Sequence, residues 1–242
     1  MSNTENLAIA SKRLLLSCLL GIAALFAVAS PANAQVTLGA AAKFAVLGGT
    51  NVTCTAGSVL AGNIGVYPGG FTNTGCTIGG ESPPATNAAA DQAQEDLLRA
   101  YSALESRPCT ETISTPAFTG NLPVLGPLAP GVYCFPAAVT FTDTILTLNG
   151  PASGVWIFKV GAALTGTNFS VVMTGRGQPC KVYWAVGSAA TLTTSSVKGS
   201  ILAGNSGVGS ITLTGGTLTG RALARVANTV TGTSIFGCSA PL

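Results

Sequence analysis

The chain has 242 residues, 47% of them apolar and only 8% charged, with 11 Lys and Arg against 8 Asp and Glu for a formal net charge of +3. Ordinary domains carry about a quarter charged residues, so a charge-rich disordered chain is excluded, and cations scattered this thinly form no basic patch for nucleic acid. There is no histidine, which removes the commonest general base and the commonest metal ligand.

At the N-terminus, Lys12 and Arg13 precede an apolar run from Leu14 to Ala29, and Ala32-Asn33-Ala34 offers small residues for a signal peptidase. The run is about 16 residues, short of the roughly 20 a membrane-spanning helix needs. Residues 1–34 are therefore expected to be a secretory leader, leaving a single domain of residues 35–242. Nine basic and seven acidic residues remain after Ala34 (11 minus Lys12 and Arg13; 8 minus Glu5), a charge of +2. Cys18 falls in the leader. The other six cysteines, Cys54, Cys76, Cys109, Cys134, Cys180 and Cys238, are an even set suited to disulfides in a secreted chain. Six allow fifteen connectivities, of which pairing in chain order is one. No CxxC spacing suggests a metal site, and no cofactor is expected.

After Pro83-Pro84, residues 86–106 lack glycine and internal proline, and apolar side chains recur at Ala90, Ala93, Leu97, Ala100 or Tyr101, and Leu104. That spacing predicts an amphipathic helix packed along the rest of the protein. Thr86 or Asn87 can cap it, Asp91, Glu95 and Asp96 lie toward its positive end, Arg99 and Arg107 lie toward the other, and Arg107-Pro108 stops it.

From Val132 onward, groups of four to six β-formers alternate with Gly, Thr, Ser, Asn or Pro, predicting a train of short strands. Several, such as Val155-Trp156-Ile157-Phe158, are apolar at consecutive positions, as in strands covered on both sides. A β-sandwich and a stacked-coil solenoid both accommodate this. The 31 glycines at the turns favour the solenoid, although no fixed period marks a regular one.

Catalytic groupings are sparse. Outside the predicted helix the acids are Glu81, Glu111 and Asp143, with nothing in their placement to suggest paired acid and base work. The absence of histidine rules out the ordinary serine triad, so the chain is not expected to be an enzyme. Asn51-Val52-Thr53 and Asn168-Phe169-Ser170 are glycosylation sequons in a eukaryotic host.

Threonine is the unusual feature: of 30, 29 follow the leader. They recur at short spacing in 140–144, 165–168, 191–194, 212–219 and 229–233. High β propensity accounts for part of this. Exposed strands would ordinarily mix in Lys and Glu to stay soluble and to discourage edge pairing, and these segments have scarcely any. Residues i and i+2 of a strand share a face about 6.6–6.8 Å apart, and stacked coils would repeat the row at about 4.7–4.9 Å. The expected product is a flat, neutral lattice of methyls and hydroxyls able to order water and merge with ice.

These residues sit within a broader resemblance, over Val36 to Phe236, to the secreted ice-binding proteins of the domain of unknown function 3494 type, found in cold-adapted bacteria, yeasts, fungi and algae. It is carried by Leu38-Gly39-Ala40-Ala41-Ala42-Lys43-Phe44-Ala45-Val46-Leu47, Gly62-Asn63-Ile64-Gly65-Val66-Tyr67-Pro68-Gly69 and Leu128-Ala129-Pro130-Gly131-Val132-Tyr133. Trp156 to Gly161, Val182 to Thr191, Lys198 to Ala203 and Gly220 to Arg225 continue it. The resemblance implies a discontinuous right-handed β-helix of triangular section with one α-helix alongside, and one flat face that binds ice, often with a Thr-(Ala, Gly or Asn)-x-(Thr or Asn) pattern. Thr50 to Thr53, Thr165 to Asn168 and Thr214 to Thr217 meet that pattern, while Thr191 to Thr194 and Thr231 to Ser234 each depart from it in one position.

The candidate ice-binding residues are thus Thr50, Thr53, Thr165, Thr167, Asn168, Thr191, Thr193, Thr194, Thr212, Thr214, Thr217, Thr219, Thr231 and Thr233. The chain is expected to be a secreted monomer whose partner is an ice crystal surface, with neither nucleic acid nor, once the leader is removed, a membrane as partner. The alternative is an extracellular adhesion or matrix module on the same scaffold. It would want aromatic side chains on its binding face, whereas Trp156 and Trp184 lie in apolar strands and are expected in the core.

Overall fold

In the computed structural model, the residues described are 36–84, 87–120, 126–205 and 207–238; the expected leader and Thr86 lie outside them. Three strands close a first coil, β1 (Phe44–Gly48), β2 (Asn51–Thr55) and β3 (Val59–Ala61), and three a second, β4 (Asn63–Val66), β5 (Gly70–Thr74) and β6 (Thr77–Ile78). The helix α1 (Asn87–Glu105) follows. The chain then resumes coiling through β7 (Glu111–Thr112), β8 (Ala117–Thr119), β9 (Gly131–Phe135), β10 (Val139–Thr142), β11 (Ile145–Gly150), β12 (Trp156–Val160), β13 (Leu164–Thr167) and β14 (Ser170–Gly175). It ends through β15 (Val182–Val186), two 14-residue strands β16 (Ala190–Ala203) and β17 (Ile211–Ala224), β18 (Ala227–Thr231) and β19 (Ser234–Phe236).

Every pairing between these strands is parallel and joins one coil to the next, which is a solenoid and not a sandwich. The coils stack into three sheets. The first holds β1, β4, β7, β9, β12, β15 and the ends of β16 and β17. The second holds β2, β5, β8, β10, β13, β18 and the starts of β16 and β17. The third holds β3, β6, β11, β14, β19 and the middles of β16 and β17, so that β16 and β17 each traverse all three without interruption. Glycine makes the corner into the first sheet possible. At Gly220 (φ 159°) a Cβ would lie 1.8 Å from the Gly199 carbonyl oxygen, and at Gly199 (φ 109°) 2.5 Å from that of Val182.

The coil order in space is not the chain order. The end of β17 pairs with β1 (Val46 with Ala222), β18 with β2 and β19 with β3, so the last coil rests on the first. The chain therefore builds two coils at one end, must return to the other, and winds back toward its start. Nineteen helical residues rise about 28 Å, close to the roughly 34 Å of seven coil steps at about 4.8 Å each. The helix is the return path.

That path also explains the consecutive apolar strands. The outer side of the first sheet is covered by α1 and the 3-10 turn Gly39–Lys43, packing Ala90, Ala93, Leu97, Ala100, Tyr101 and Leu104 against Leu47, Ile157, Ala185, Leu202 and Leu223. With the interior of the coils on their other side, β1 and β15 are buried at every position. The expected dipole complement is absent: the first turn of α1 holds no acid and the last no base. Asp96 is committed to a tertiary contact instead, accepting the Ala40 amide at 2.6 Å while pairing with Arg99 at 3.0 Å. Gly39 (φ 52°) passes so near that a Cβ there would meet the Asp96 carboxylate.

Inside the coils, rings stack in ladders from one coil to the next. Phe118, Phe141 and Phe169 stack with centroids 5.2 and 4.5 Å apart, and Tyr133, Phe158 and Trp184 with centroids 5.6 and 4.1 Å apart. Trp156 and Trp184 are fully buried, as expected. The disulfides join Cys54 to Cys76, Cys109 to Cys134 and Cys180 to Cys238, the chain-order pairing. Where the last coil meets the first, polar clamps add to the sheet bonds. Asn228, fully buried, donates to the Leu47 carbonyl at 2.6 Å, and Arg221 donates to the carbonyls of Ala42 at 3.0 Å and Cys238 at 2.7 Å.

Candidate functional site

The second sheet is assembled in space from β8, β10, β13, the first four residues of β16, the first four of β17, β18, β2 and β5. Successive side chains of a strand point to opposite faces, so each rung presents two outward residues on either side of one that turns away from that face. In the seven rungs before the terminal one the middle residue is Phe118, Phe141, Gly166, Leu192, Leu213, Val230 or Cys54, all buried. Gly166 is glycine because its neighbours fill the space, a Cβ there lying 2.7 Å from Leu192 Cδ2.

The outward positions fall into two columns. One runs Ala117, Thr140, Thr165, Thr191, Thr212, Thr229, Thr53, Thr72, and the other Thr119, Thr142, Thr167, Thr193, Thr214, Thr231, Thr55, Thr74. Fifteen of these sixteen positions are threonine and none is charged. Parallel geometry puts them about 6.6–6.8 Å apart along a rung and about 4.7–4.9 Å apart between rungs. In the five central rungs, β10 to β18, the ten hydroxyls make no hydrogen bond to any described residue. They face solvent, with the threonines half-buried or exposed. A β-branched side chain has restricted χ1 freedom, so methyl and hydroxyl are confined to few positions before anything binds.

The remaining candidates lie elsewhere. Thr50 precedes β2, and its hydroxyl donates to the Val226 carbonyl at 3.2 Å. Asn168 and Thr194 stand at the corner just beyond the second column. Thr217 and Thr219 belong to the third sheet, where the Thr217 hydroxyl is bonded to that of Ser196 at 2.9 Å and Thr219 accepts from Lys198 Nζ at 3.0 Å. Thr233 is 2% exposed and turned inward, its hydroxyl donating to the Thr231 carbonyl at 3.1 Å. Thr144 to Thr142 and Ser195 to Thr193 repeat that bond at 2.8 and 2.9 Å. Past the corner, side-chain direction inverts, and the hydroxyl two residues on donates to the carbonyl of the last second-sheet residue; in Thr142 and Thr193 that carbonyl also accepts a backbone amide of the neighbouring coil.

Sequence reasoning passed over Thr55, Thr72, Thr74, Thr119, Thr140, Thr142 and Thr229 as candidates. The four-residue pattern straddles the corner, whereas the simpler Thr-x-Thr within one strand marks Thr53-Cys54-Thr55, Thr72-Asn73-Thr74, Thr140-Phe141-Thr142 and Thr229-Val230-Thr231.

The shifted titratable groups belong to the first sheet, its helix cover and the coil seam. Burial, reinforced by Glu105, pushes Tyr101 up to about 12. Burial also raises Glu105 against the opposing pull of Lys159, raises Tyr133 and Tyr183, and lowers Arg221. The two columns thus present a neutral, regular surface whose central hydroxyls are free to hydrogen-bond to whatever adsorbs there.

Residues 46–235 match the family model described as Ice-binding-like. An ice-binding protein of Nostoc sp. (strain HG1) is 35% identical over 191 residues, covering 68% of this chain and 67% of that protein. Among solved structures, an ice-binding protein from an Antarctic biological consortium is 31% identical with a TM-score of 0.72, covering 83% of this chain and 90% of that one. The ice-binding protein of the Antarctic ascomycete Antarctomyces psychrotrophicus is 28% identical with a TM-score of 0.68, covering 83% and 97%.

Proposed function

The chain belongs to the ice-binding-like family, and we propose that it binds ice through the two threonine columns of its second sheet, adsorbing to the crystal and slowing its growth and recrystallisation. The observation that carries this reading is the coincidence of register and unspent hydrogen bonds. Ten hydroxyls in five consecutive rungs are held in parallel register by backbone pairing and engage no other described group. Water hydrogen-bonded to such a grid is ordered by the spacing of the hydroxyls while the intervening methyls limit competing hydration. Ice growing between adsorbed molecules is forced to curve, which lowers its local freezing point.

No bond is made or broken in this process, and the family is not enzymatic. The expected leader and three disulfides fit export to an oxidising compartment, so the working form is a monomer of residues 35–242 outside the cell. The test is adsorption of the purified protein from dilute solution into slowly grown ice, with thermal hysteresis measured in parallel. The unsubstituted protein is expected in the ice fraction, and Thr191→Tyr or Thr193→Tyr in the liquid. Undiminished incorporation of both variants would move the binding surface off this sheet.

A further inference from the structure

The outer side of the first sheet carries apolar groups under α1, but one of its columns is polar on three consecutive rungs. Tyr183, Ser200 and Arg221 stand side by side in parallel register. Their neighbours in the strands, Trp184, Ile201 and Ala222, turn into the coils, so these three point the other way, beneath the segment that leads into β1. All are buried: Ser200 fully, Tyr183 and Arg221 to 7 and 8% exposure.

Arginine keeps its charge and has five N–H donors. Three are engaged in Arg221: Nε donates to the Ala42 carbonyl at 3.0 Å, Nη2 to that of Cys238 at 2.7 Å and Nη1 to Ser200 Oγ at 3.5 Å. Two donors are left, and no carboxylate opposes the charge, since the ion pairs among the described residues join Arg99 to Asp96 and Lys159 to Glu105. A buried cation is costly unless an anion faces it. Beside this one is a cavity of about 350 Å³, lined by Arg221 and Tyr183 together with Val36, Leu38 and the disulfide of Cys180 and Cys238. The Tyr183 hydroxyl bonds to no described group. No Asp or Glu lines this cavity or the second one, of about 90 Å³, that Arg221 also reaches.

The lining selects the ligand. One cation calls for one negative charge, and the planar guanidinium edge matches a planar carboxylate. Val36, Leu38 and the sulfurs favour an apolar body over a hydrated inorganic ion. We propose that this cavity binds a small monocarboxylate with an apolar body, its oxygens on the remaining N–H groups of Arg221 and on the Tyr183 hydroxyl. The bound anion neutralises the buried charge where the last coil meets the first, so occupancy stabilises that seam. The site lies under the leading segment, on a different sheet from the threonine columns, and stands independently of ice binding.

The test uses benzoate and its neutral counterpart of like shape, benzamide, on the full protein, with isothermal titration calorimetry and thermal unfolding. Benzoate is expected to bind one to one and to raise the melting temperature, and benzamide to do neither. Tyr183→Phe, which keeps the ring, is expected to weaken benzoate about threefold, and Arg221→Gln about tenfold or more. Where Arg221→Gln fails to fold, Tyr183→Phe and the benzamide comparison carry the test. Equal binding of benzoate and benzamide, or undiminished affinity in Tyr183→Phe, would overturn the site. Displacement of benzoate by an equal concentration of chloride or phosphate would overturn the carboxylate as its ligand. Absence of any binding would leave Arg221 a clamp between coils and nothing more.

Discussion

The second and third sheets are made by the same turns of chain, and both are open to solvent and rich in hydroxyl side chains. Yet they present opposite surfaces. On the second, outward positions repeat as threonine, with free hydroxyls through the five central rungs, while toward one end Thr53, Thr55 and Thr74 are hydrogen-bonded within the fold. On the third, Ser196 and Thr217 bond to each other and Lys198 caps Thr219, while Val59, Ile145, Val172 and Phe236 protrude with exposures between 39 and 48%. Threonine content alone does not make a water-ordering surface. The hydroxyls must be unspent, and their neighbours level and neutral.

The sharpest way to break this comparison is to place the same bulky group on each sheet. Thr193→Tyr is expected to abolish most thermal hysteresis and Thr217→Tyr to leave it nearly intact, with both stabilities within about 0.5 kcal/mol of the parent because the sites are surface strand positions. Equal losses would mean that the two sheets act alike.

Next in size is an assault on the scaffold from the side that touches neither sheet. Leu97 is fully buried between α1 and the first sheet. Leu97→Ala is expected to cost about 2–5 kcal/mol, lowering the melting temperature while hysteresis per folded molecule in the cold is unchanged. A proportionate fall in cold hysteresis would show that the flatness of the second sheet depends on the helix.

A smaller effect separates the neutral sheet from the ionisable remainder. Tyr101 ionises near 12 when folded and near 10 when unfolded. Above pH 10 the unfolded state therefore loses its proton first, and stability present below pH 10 is lost as pH rises toward 12. The raised Tyr133 and Tyr183 act in the same direction. Chemical denaturation across pH 8–12 should show this alkaline decline. Hysteresis should stay level from pH 5 to 9, and a step within that range would implicate a charged group in the surface.

Much of this was legible in the chain. Leu97 and its neighbours announced the helix through their spacing, Val182 to Val186 announced a strand covered on both sides, and Thr191-Leu192-Thr193 announced a strand with threonines outward. The helix's acids misled, because Asp96 answers to the Ala40 amide 56 residues away and not to the helix dipole. Thr233 misled for a related reason: it shares a short repeat with Thr231, but a corner between them reverses which way side chains point.

What the sequence determined by itself is the local alternation, in which period two places threonine on one side of a strand and a core residue on the other. What only the tertiary structure decided is which threonines share a plane. Thr53, Thr55, Thr72 and Thr74 join Thr229 and Thr231 because the last coil docks on the first, a pairing between segments more than 150 residues apart. Registers across that distance rest on backbone pairing between the last coil and the first and on clamps such as Asn228 and Arg221, and no local pattern in the chain specifies them.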